Sequence, residues 1–417
     1  MNRERLSEPR SPDEPGASQP DPDDPRIASG AAWRELMAAL ARAEKRVLGP
    51  GVPGAPRDRA EGFRHLLRFF AAGHLLCVEH ADPDHPRFAR MVDPAWQWGL
   101  DMPDCLYLYA PLRGDAAYRV WGRRGSAHHV DLQVNWGHFA EGDIAAWGTV
   151  SSASADQLDV GEDGSLELWL GGPPRPRNWL PVAPNAEFLL VRQYFSDWEA
   201  EQPADLWIER VGGGPAPPPR TDQIAERLDR LVRWLDRGGA LWERMSRGLV
   251  EGMAPNTLVV TRPADSDQRA GLRGQAYGIG NFYCAPDQAV IVRFTPPRCH
   301  HWSVSLANWW WESMDFAERQ TSLNGRQAQI DADGAFRGVI AHLDPGVPNW
   351  LDPAGYERGT LALRFLLADE APKVELERLP LAQLASKLPR ATPRVSPGER
   401  SASLARRRCA ALRRYRG

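Results

Sequence analysis

The sequence predicts a mainly β protein with helical additions, in which two duplicated antiparallel β-sandwich or jelly-roll units are preceded and separated by amphipathic helices. Three observations lead to this expectation. Short segments of alternating apolar and polar residues, such as 118–121 and 166–169, are broken by Gly, Pro and Asp, which is typical of antiparallel strands. Apolar residues follow a helical period over 31–48 and 221–249. The two strand-rich halves share motifs at a nearly constant separation.

Length and composition narrow the class of protein. The chain has 417 residues, 42% of them hydrophobic and 25% charged, which is enough for a large core and two or three domains. A formal net charge of −3 gives no electrostatic footprint for nucleic acid, so we do not expect nucleic acid as the main ligand. Five cysteines without a C-x-x-C pair argue against a disulfide framework and a thiolate zinc site. No apolar leader or bilayer-spanning apolar run is found, so we expect a cytoplasmic protein without a membrane span.

The chain divides into six parts. In order these are a disordered acidic and Pro-rich tail (1–28), a helical region (29–92), a first β-sandwich unit (93–212), a linker with helices (213–255), a second β-sandwich unit (256–371) and a basic, largely disordered tail (372–417). Ser29 can cap the first helix, and Gly49 follows its last apolar residue. Thr221 can cap the helix after the Pro-rich linker.

Five pairs of motifs indicate an internal duplication. They lie 170 to 173 residues apart, in the same order: His128-His129 and His300-His301, Asn135-Trp136 and Asn308-Trp309, Asp163-Gly164 and Asp333-Gly334, Asn178-Trp179-Leu180 and Asn349-Trp350-Leu351, and Arg192 and Arg364. Because each copy must bury its own apolar face, we expect two sandwiches. One large sandwich built from strands of both halves remains the alternative.

Several of these motifs also resemble a known family. The segments YGIG at 277–280, HWSVSL at 301–306, NWW at 308–310 and DPGVPNWL at 344–351 resemble the bacterial domain-of-unknown-function family 1214. The resemblance covers roughly residues 30–370, is strongest in the second unit, and extends upstream to 60–64 and 98–104. It implies a β-sandwich fold and carries over no reaction.

Tryptophan accounts for 17 residues, and three of them are consecutive at 309–311. Neighbouring strand residues point to opposite faces, so three adjacent tryptophans on a strand cannot all enter the core. At least one should then line a cleft, an interface or the gap between the units, unless the helices cover the other face. We therefore predict ligand-binding roles for Trp310, Asn308, Asn349 and Trp350. The Asn-Trp-Leu turns have a structural alternative, in which Trp plugs the sandwich end and Asn bonds its own backbone.

The predicted catalytic residues are His301, Asp315 and Arg364. His301 could act as a general base oriented by a carboxylate, and an Arg beside a Trp could hold a planar or anionic ligand. A metal would need His128 or His129 with His300 or His301, plus Asp131 or Asp315. Adjacent strand residues diverge and copies of a duplicated motif are usually far apart, so we expect no metal and no cofactor.

The sequence therefore predicts a protein that binds, and in one version also transforms, a small apolar or aromatic organic molecule in a Trp/Arg-lined cleft. Whether it is an enzyme stays open. The alternatives are a non-enzymatic carbohydrate- or protein-recognition module and a scaffold that forms homo-oligomers, specifically homodimers, through its aromatic surface.

Overall fold

The computed structural model describes residues 24–266 and 274–416. Most of the acidic tail, predicted to be disordered, lies outside these residues, although its last residues form one helical turn. The helices are α1 (Pro25–Ala28), α2 (Ala31–Leu48), α3 (Pro56–His74), α4 (Thr221–Arg233), α5 (Gly239–Val250), α6 (Pro263–Ser266), α7 (Leu384–Lys387) and α8 (Pro397–Arg413). A π turn over 75–79 extends α3, and another over 234–238 joins α4 to α5.

The strands of the first unit form a five-stranded and a four-stranded sheet. They are β1 (Ala89–Val92), β2 (Cys105–Pro111), β3 (Tyr118–Arg123), β4 (His129–Gly137), β5 (Trp147–Ser154), β6 (Ser165–Leu170), β7 (Trp179–Leu180), β8 (Ala186–Tyr194) and β9 (Asp205–Arg210). Their orders are β1-β2-β8-β4-β5 and β7-β6-β3-β9. Apolar residues of both sheets meet in one core, so the unit is a sandwich.

The second unit repeats this arrangement. Its strands are β10 (Leu258–Val260), β11 (Ala276–Tyr283), β12 (Gln288–Phe294), β13 (His301–Ala307), β14 (Ser322–Asn324), β15 (Phe336–Ala341), β16 (Trp350–Leu351), β17 (Arg358–Leu366) and β18 (Glu375–Pro380). Their orders, β10-β11-β17-β13-β14 and β16-β15-β12-β18, are those of the first unit with nine added to each strand number. The predicted mainly β fold with helical additions and its duplication are therefore confirmed.

The copies agree down to single side chains. The Asn178 side chain bonds the backbone N–H and C=O of Asp159, and Asn349 does the same with Gln329, each at 2.7 to 2.8 Å. One detail differs from the prediction of purely antiparallel sheets. The two-residue strands β7 and β16 pair in parallel with β6 and β15.

The outer faces of the two five-stranded sheets carry the helices and meet each other. Tyr109 and Phe188 of the first sheet and Ala362 of the second belong to one apolar cluster with residues of α2, α3, α4 and α5. At the end of this shared face, His128 Nε2 lies 2.8 Å from the backbone oxygen of His300, and His300 Nε2 lies 3.4 Å from that of His128. The reciprocal contacts indicate an approximate two-fold relation between the copies. We call this contact region the histidine seam.

The C-terminal part is ordered, contrary to the prediction of a largely disordered tail. Strand β18 completes the second sandwich beyond the predicted limit at residue 371, and α8 begins with Ser396 and Glu399 in a capping box. Arg400, Arg407 and Arg414, spaced seven apart on one face, are buried. The basic composition of this segment therefore includes buried arginines, and Arg400 and Arg407 donate hydrogen bonds to groups of the fold.

Within the described residues, no helix is both long enough and apolar enough to cross a bilayer. The cytoplasmic location stays a prediction.

Candidate functional site

The tryptophan run 309–311 forms a turn after β13 rather than a strand. Trp311 has φ 61°, and each of the three indoles is at most 6% exposed. The expectation that the three cannot all be buried is therefore wrong, because a turn directs successive side chains along diverging paths. Trp310 stacks on His65 of α3, with ring centroids 5.5 Å apart, and Trp311 lies 5.7 Å from Trp242 of α5. The helices cover these rings.

Asn308 holds this turn, and the buried carboxylate of Glu312 ties it to α3. The Asn308 side-chain oxygen accepts from the N–H groups of Trp310 and Glu312. His65 Nδ1 lies 3.0 Å from Glu312 Oε1, and Arg68 donates to Oε2 at 3.0 Å. Burial alone would raise the pKa of Glu312, but His65, Arg68 and Asn308 hold it below the ordinary value. Asn308 and Trp310, predicted to bind ligand, thus have structural roles.

Four other predicted residues do not converge on a common site. Trp350 donates to Ala341 O at 2.8 Å and faces Arg400, so it forms no pair with Arg364. Arg364 donates to Leu100 O at 2.6 Å on the outer face of the second five-stranded sheet. Asp315 is exposed and accepts from Glu318 N, beside a 360 Å³ cleft that Asn308 also lines. Asn349 has the turn-holding role described above.

His301 is the predicted catalytic residue that does meet suitable partners. Its Nδ1 lies 2.8 Å from Ser196 Oγ, and its Nε2 lies 3.6 Å from Asp104 Oδ2. The second distance is an ion-pair separation, longer than a hydrogen bond. With Nδ1 as acceptor, Nε2 carries the hydrogen and faces the carboxylate. A hydroxyl, an imidazole and a carboxylate therefore follow one another, which is the order of groups in a nucleophile–base–orienter relay.

The duplication explains why Ser196, Asp104 and His301 lie next to one another. Asp104 directly precedes β2 and Ser196 follows β8, so the first unit supplies both, whereas His301 begins β13 in the second unit. Sequence reasoning missed Ser196 and Asp104 because the partners are about 100 to 200 residues from His301 in the chain. Asp104 had one signal, since it closes the family-like segment 98–104.

Two hydrogen bonds hold one oxygen of the Asp104 carboxylate in place, while Oδ2, which faces His301, has no hydrogen-bond partner among the described residues. Its Oδ1 accepts from Trp198 Nε1 and Asn324 Nδ2, each at 2.7 Å. Burial alone would raise its pKa, but the bonds and charges of its neighbours, His301 first among them, lower the pKa below the ordinary range. The Trp198 ring in turn lies between Arg407 and Arg414 of the C-terminal segment, 4.4 and 4.3 Å from its centroid. The C-terminal helix therefore supports the relay.

Ser196 opens onto a cleft of about 510 Å³, which we call the serine cleft. Trp198, Arg326, Ser403 and Arg407 also line it. Arg326 is mostly exposed and reaches Asp197 only at 3.5 Å, so it is available to an anionic ligand. In the described part of the chain, the N–H groups of Asp197 and Trp198 donate to no protein acceptor. They are the backbone donors of the two residues that follow Ser196 in the chain.

A second cleft, of about 620 Å³, lies where the loop before α3 meets the second sandwich. Tyr283, Trp309 and Tyr356 give it an aromatic lining, and Arg358 and Arg378 also border it. Neither arginine forms an ion pair with any residue in 24–266 or 274–416. Trp309, a member of the tryptophan run, thus borders a cleft although it is 3% exposed.

The histidine seam corrects the expectation that the duplicated histidines lie far apart. The rings of His128 and His300 are stacked with centroids 4.4 Å apart, and His129 and His300 are 5.3 Å apart. The approximate two-fold relation causes this, because a two-fold axis brings equivalent residues near it together. Asp131 and Asp315 do not join them: among the described residues, the third potential ligand is Asp156.

Two sandwiches packed through their five-stranded sheets, with helices on the shared face, define a duplicated β-sandwich protein. The chain belongs to the family described as protein of unknown function DUF1214, which matches residues 133–197. The matched residues lie within the predicted range of 30–370, from within β4 to just beyond β8 of the first unit, although the sequence resemblance is strongest in the second unit.

Two solved structures are similar to the chain to different degrees. An uncharacterized protein from Burkholderia cenocepacia is similar over 86% of this chain and 99% of its own, with 30% identity and a TM-score of 0.80. The VPA0106 protein from Vibrio parahaemolyticus is similar over 81% of this chain and 100% of its own, with 14% identity and a TM-score of 0.38. The second similarity is too low for any inference. No curated protein matches the chain.

Proposed function

We propose that the protein binds a small organic ester or thioester with an anionic group in the serine cleft and hydrolyses it through Ser196. The observation that carries this proposal is the contact between Ser196 Oγ and His301 Nδ1 at the wall of a 510 Å³ cleft, with Asp104 behind the imidazole. The proposal keeps the predicted role of His301 as base and the idea of a Trp/Arg-lined cleft. The lining residues are Trp198 and Arg326, in place of the predicted Trp310, Trp350 and Arg364. It replaces the apolar ligand by an anionic one, because arginine borders the opening.

The reaction divides into two steps. In the first, Ser196 Oγ attacks the acyl carbon, His301 Nδ1 takes the hydroxyl proton, and this proton passes to the leaving oxygen or sulfur as the acyl bond breaks. In the second, water attacks the acyl-serine, His301 takes a proton from the water, and Ser196 Oγ leaves with that proton. The balance is ester or thioester plus water giving acid plus alcohol or thiol.

The remaining groups of the cleft have matching roles. The free N–H groups of Asp197 and Trp198 are the donors available to the negative oxygen of the tetrahedral intermediate. Arg326 would bind the carboxylate or phosphate of the substrate at the mouth of the cleft. Asp104 would hold the His301 tautomer and stabilise the imidazolium, as a positioning residue. The 3.6 Å separation would shorten when the imidazole becomes charged.

Labelling with an alkyl fluorophosphonate, which forms a covalent bond to an activated serine, tests the proposal. We expect one adduct per chain by intact mass, lost in Ser196→Ala and strongly slowed in His301→Gln. Ser403→Ala is the matched control, since Ser403 lines the same cleft and contacts no histidine among the described residues. An unlabelled wild-type chain, or equal labelling of Ser196→Ala, contradicts the proposal.

The larger cleft favours a second candidate, a recognition site without chemistry. Three aromatic side chains and two unpaired arginines could hold an aromatic carboxylate by stacking and charge. Titration with aromatic carboxylates should quench tryptophan fluorescence in the wild type and in Arg394→Ala, an exposed arginine outside the cleft. Arg358→Ala/Arg378→Ala should weaken the quenching, and unchanged quenching would exclude this candidate.

A further inference from the structure

The histidine seam holds a group of side chains that the proposed hydrolysis does not use. One ligand atom from each of His129, Asp156 and His300 lies within 4.8 Å of the other two. His129 and Asp156 come from the first unit and His300 from the second. Two imidazoles and a carboxylate are the donor set that divalent first-row transition metals, zinc above all, take in proteins.

A second observation points to a ligand at this place. The His129 side chain is 2% exposed, and its Nδ1 has no hydrogen-bond partner among the described residues. That nitrogen lies 3.9 Å from Asp156 Oδ2, so it is directed at the carboxylate without bonding it. A buried imidazole nitrogen without a hydrogen-bond partner, directed at a carboxylate, is suited to bind a metal ion.

We propose that His129, His300 and Asp156 bind one divalent transition-metal ion, with solvent completing its coordination. Donors about 2 Å from a common ion lie roughly 3.3 Å apart, whereas these atoms lie within 4.8 Å of one another, so the side chains must close by up to about 1.5 Å. His300 and Asp156 are exposed and can move, whereas buried His129 is the fixed ligand. Arg124 bonds Asp156 at 3.3 Å and must share the carboxylate with the ion.

The duplication predicts one ion per chain rather than two. The equivalent imidazoles across the seam are His301 and His128. Asp131 pairs with Ser154, and Ser303 pairs with Asn324, so Ser154 and Asn324 hold equivalent positions. Asp156 therefore corresponds to Arg326, two residues further along. The related position across the seam therefore has the guanidinium of Arg326 in place of a carboxylate, and this position suits an anion rather than a metal ion.

The bound ion would connect the two units, since it joins ligands from both. This inference does not rest on the proposed hydrolysis, and its experiment measures metal binding and melting rather than activity.

The test uses the full chain after treatment with EDTA and removal of the chelator. Titration with Zn²⁺ by calorimetry should give one equivalent and a raised melting temperature, and Co²⁺ should give the ligand-field absorption of a histidine-bound ion. Asp156→Asn and His300→Gln, both at exposed positions, should lose this binding.

His74→Gln is the matched control, because His74 is an exposed histidine 3.3 Å from a carboxylate, Glu79, but without a second imidazole. It should bind like the wild type. A wild-type chain that takes up no Zn²⁺ overturns the inference before any variant is made. Undiminished binding by Asp156→Asn and His300→Gln, with folding checked by circular dichroism, overturns it equally.

Discussion

Replacing Glu312 by Gln should destabilise the protein strongly, although the side chain keeps its shape. The carboxylate has no solvent exposure and receives Nδ1 of His65 on one oxygen and the side chains of Arg68 and Asn308 on the other. In Glu312→Gln, the amide NH₂ fits best toward His65, whose ring can offer an acceptor nitrogen. The oxygen then still accepts from Arg68, but the arginine loses its counter-charge.

The size of the expected loss of stability follows from the burial of the Glu312–Arg68 ion pair. The Arg68 side chain is 11% exposed, so its charge is left largely desolvated without a partner. Removing one member of a buried ion pair costs about 3–5 kcal/mol, and the retained hydrogen bond places Glu312→Gln near the lower end of that range. Glu318→Gln is the control: its partner Arg408 is half exposed, so the loss should stay below about 1 kcal/mol.

Urea unfolding at several pH values measures the loss of stability in Glu312→Gln and in Glu318→Gln. The pKa of Glu312 in the folded protein lies below its ordinary value of 4.5, so its contribution to stability is complete above that pH and is lost as the pH falls through the folded value. The stability difference between wild type and variant should therefore shrink below pH 4.5. A variant within about 1 kcal/mol of the wild type at pH 7 would refute the idea that this carboxylate anchors α3 to the turn.

Three further expectations concern glycines, the C-terminal helix and a buried histidine. A Cβ on Gly73 would overlap the Trp234 ring, so Gly73→Ala should lower the free energy of unfolding by about 1–3 kcal/mol in the same urea assay. Gly248→Ala has nothing near its new Cβ and should raise the free energy of unfolding by about 0.5–1 kcal/mol. Deleting residues 397–417 should lower the melting temperature sharply, and an unchanged value would mean that the buried arginines of α8 contribute nothing. Burial lowers the pKa of His138 from 6.5 to about 3, so the free energy of unfolding of the wild type should fall as the pH drops from 6.5 to about 3. In His138→Gln the free energy of unfolding should depend less steeply on pH over this range.

The duplicated fold was predictable because its signals are local and occur twice. Alternating strands, turn residues and the paired Asn-Trp-Leu motifs each depend on short segments, and the sheet orders repeat as the motifs do. The ordered C-terminal segment was not predictable in this way. Its arginines look like a solvated basic end until their acceptors, such as Phe316 O for Arg407 Nε, are known.

The candidate site was predictable only in part. His301 was identified from its place in the repeat, but its partners Ser196 and Asp104 come from the other unit, and no spacing in the sequence encodes that approach. The same limit applies to the tryptophan run. Whether 309–311 forms a strand or a turn depends on Asn308 and Glu312 closing a loop against a helix about 250 residues earlier.

A crystal structure of the chain after reaction with an alkyl fluorophosphonate addresses the central claim, that the junction of the two units forms a reactive serine centre. Our account predicts continuous electron density from Ser196 Oγ to phosphorus, with the His301 imidazole beside the adduct. An unmodified Ser196 hydroxyl after complete reaction with the reagent, or an adduct on another residue, would contradict it.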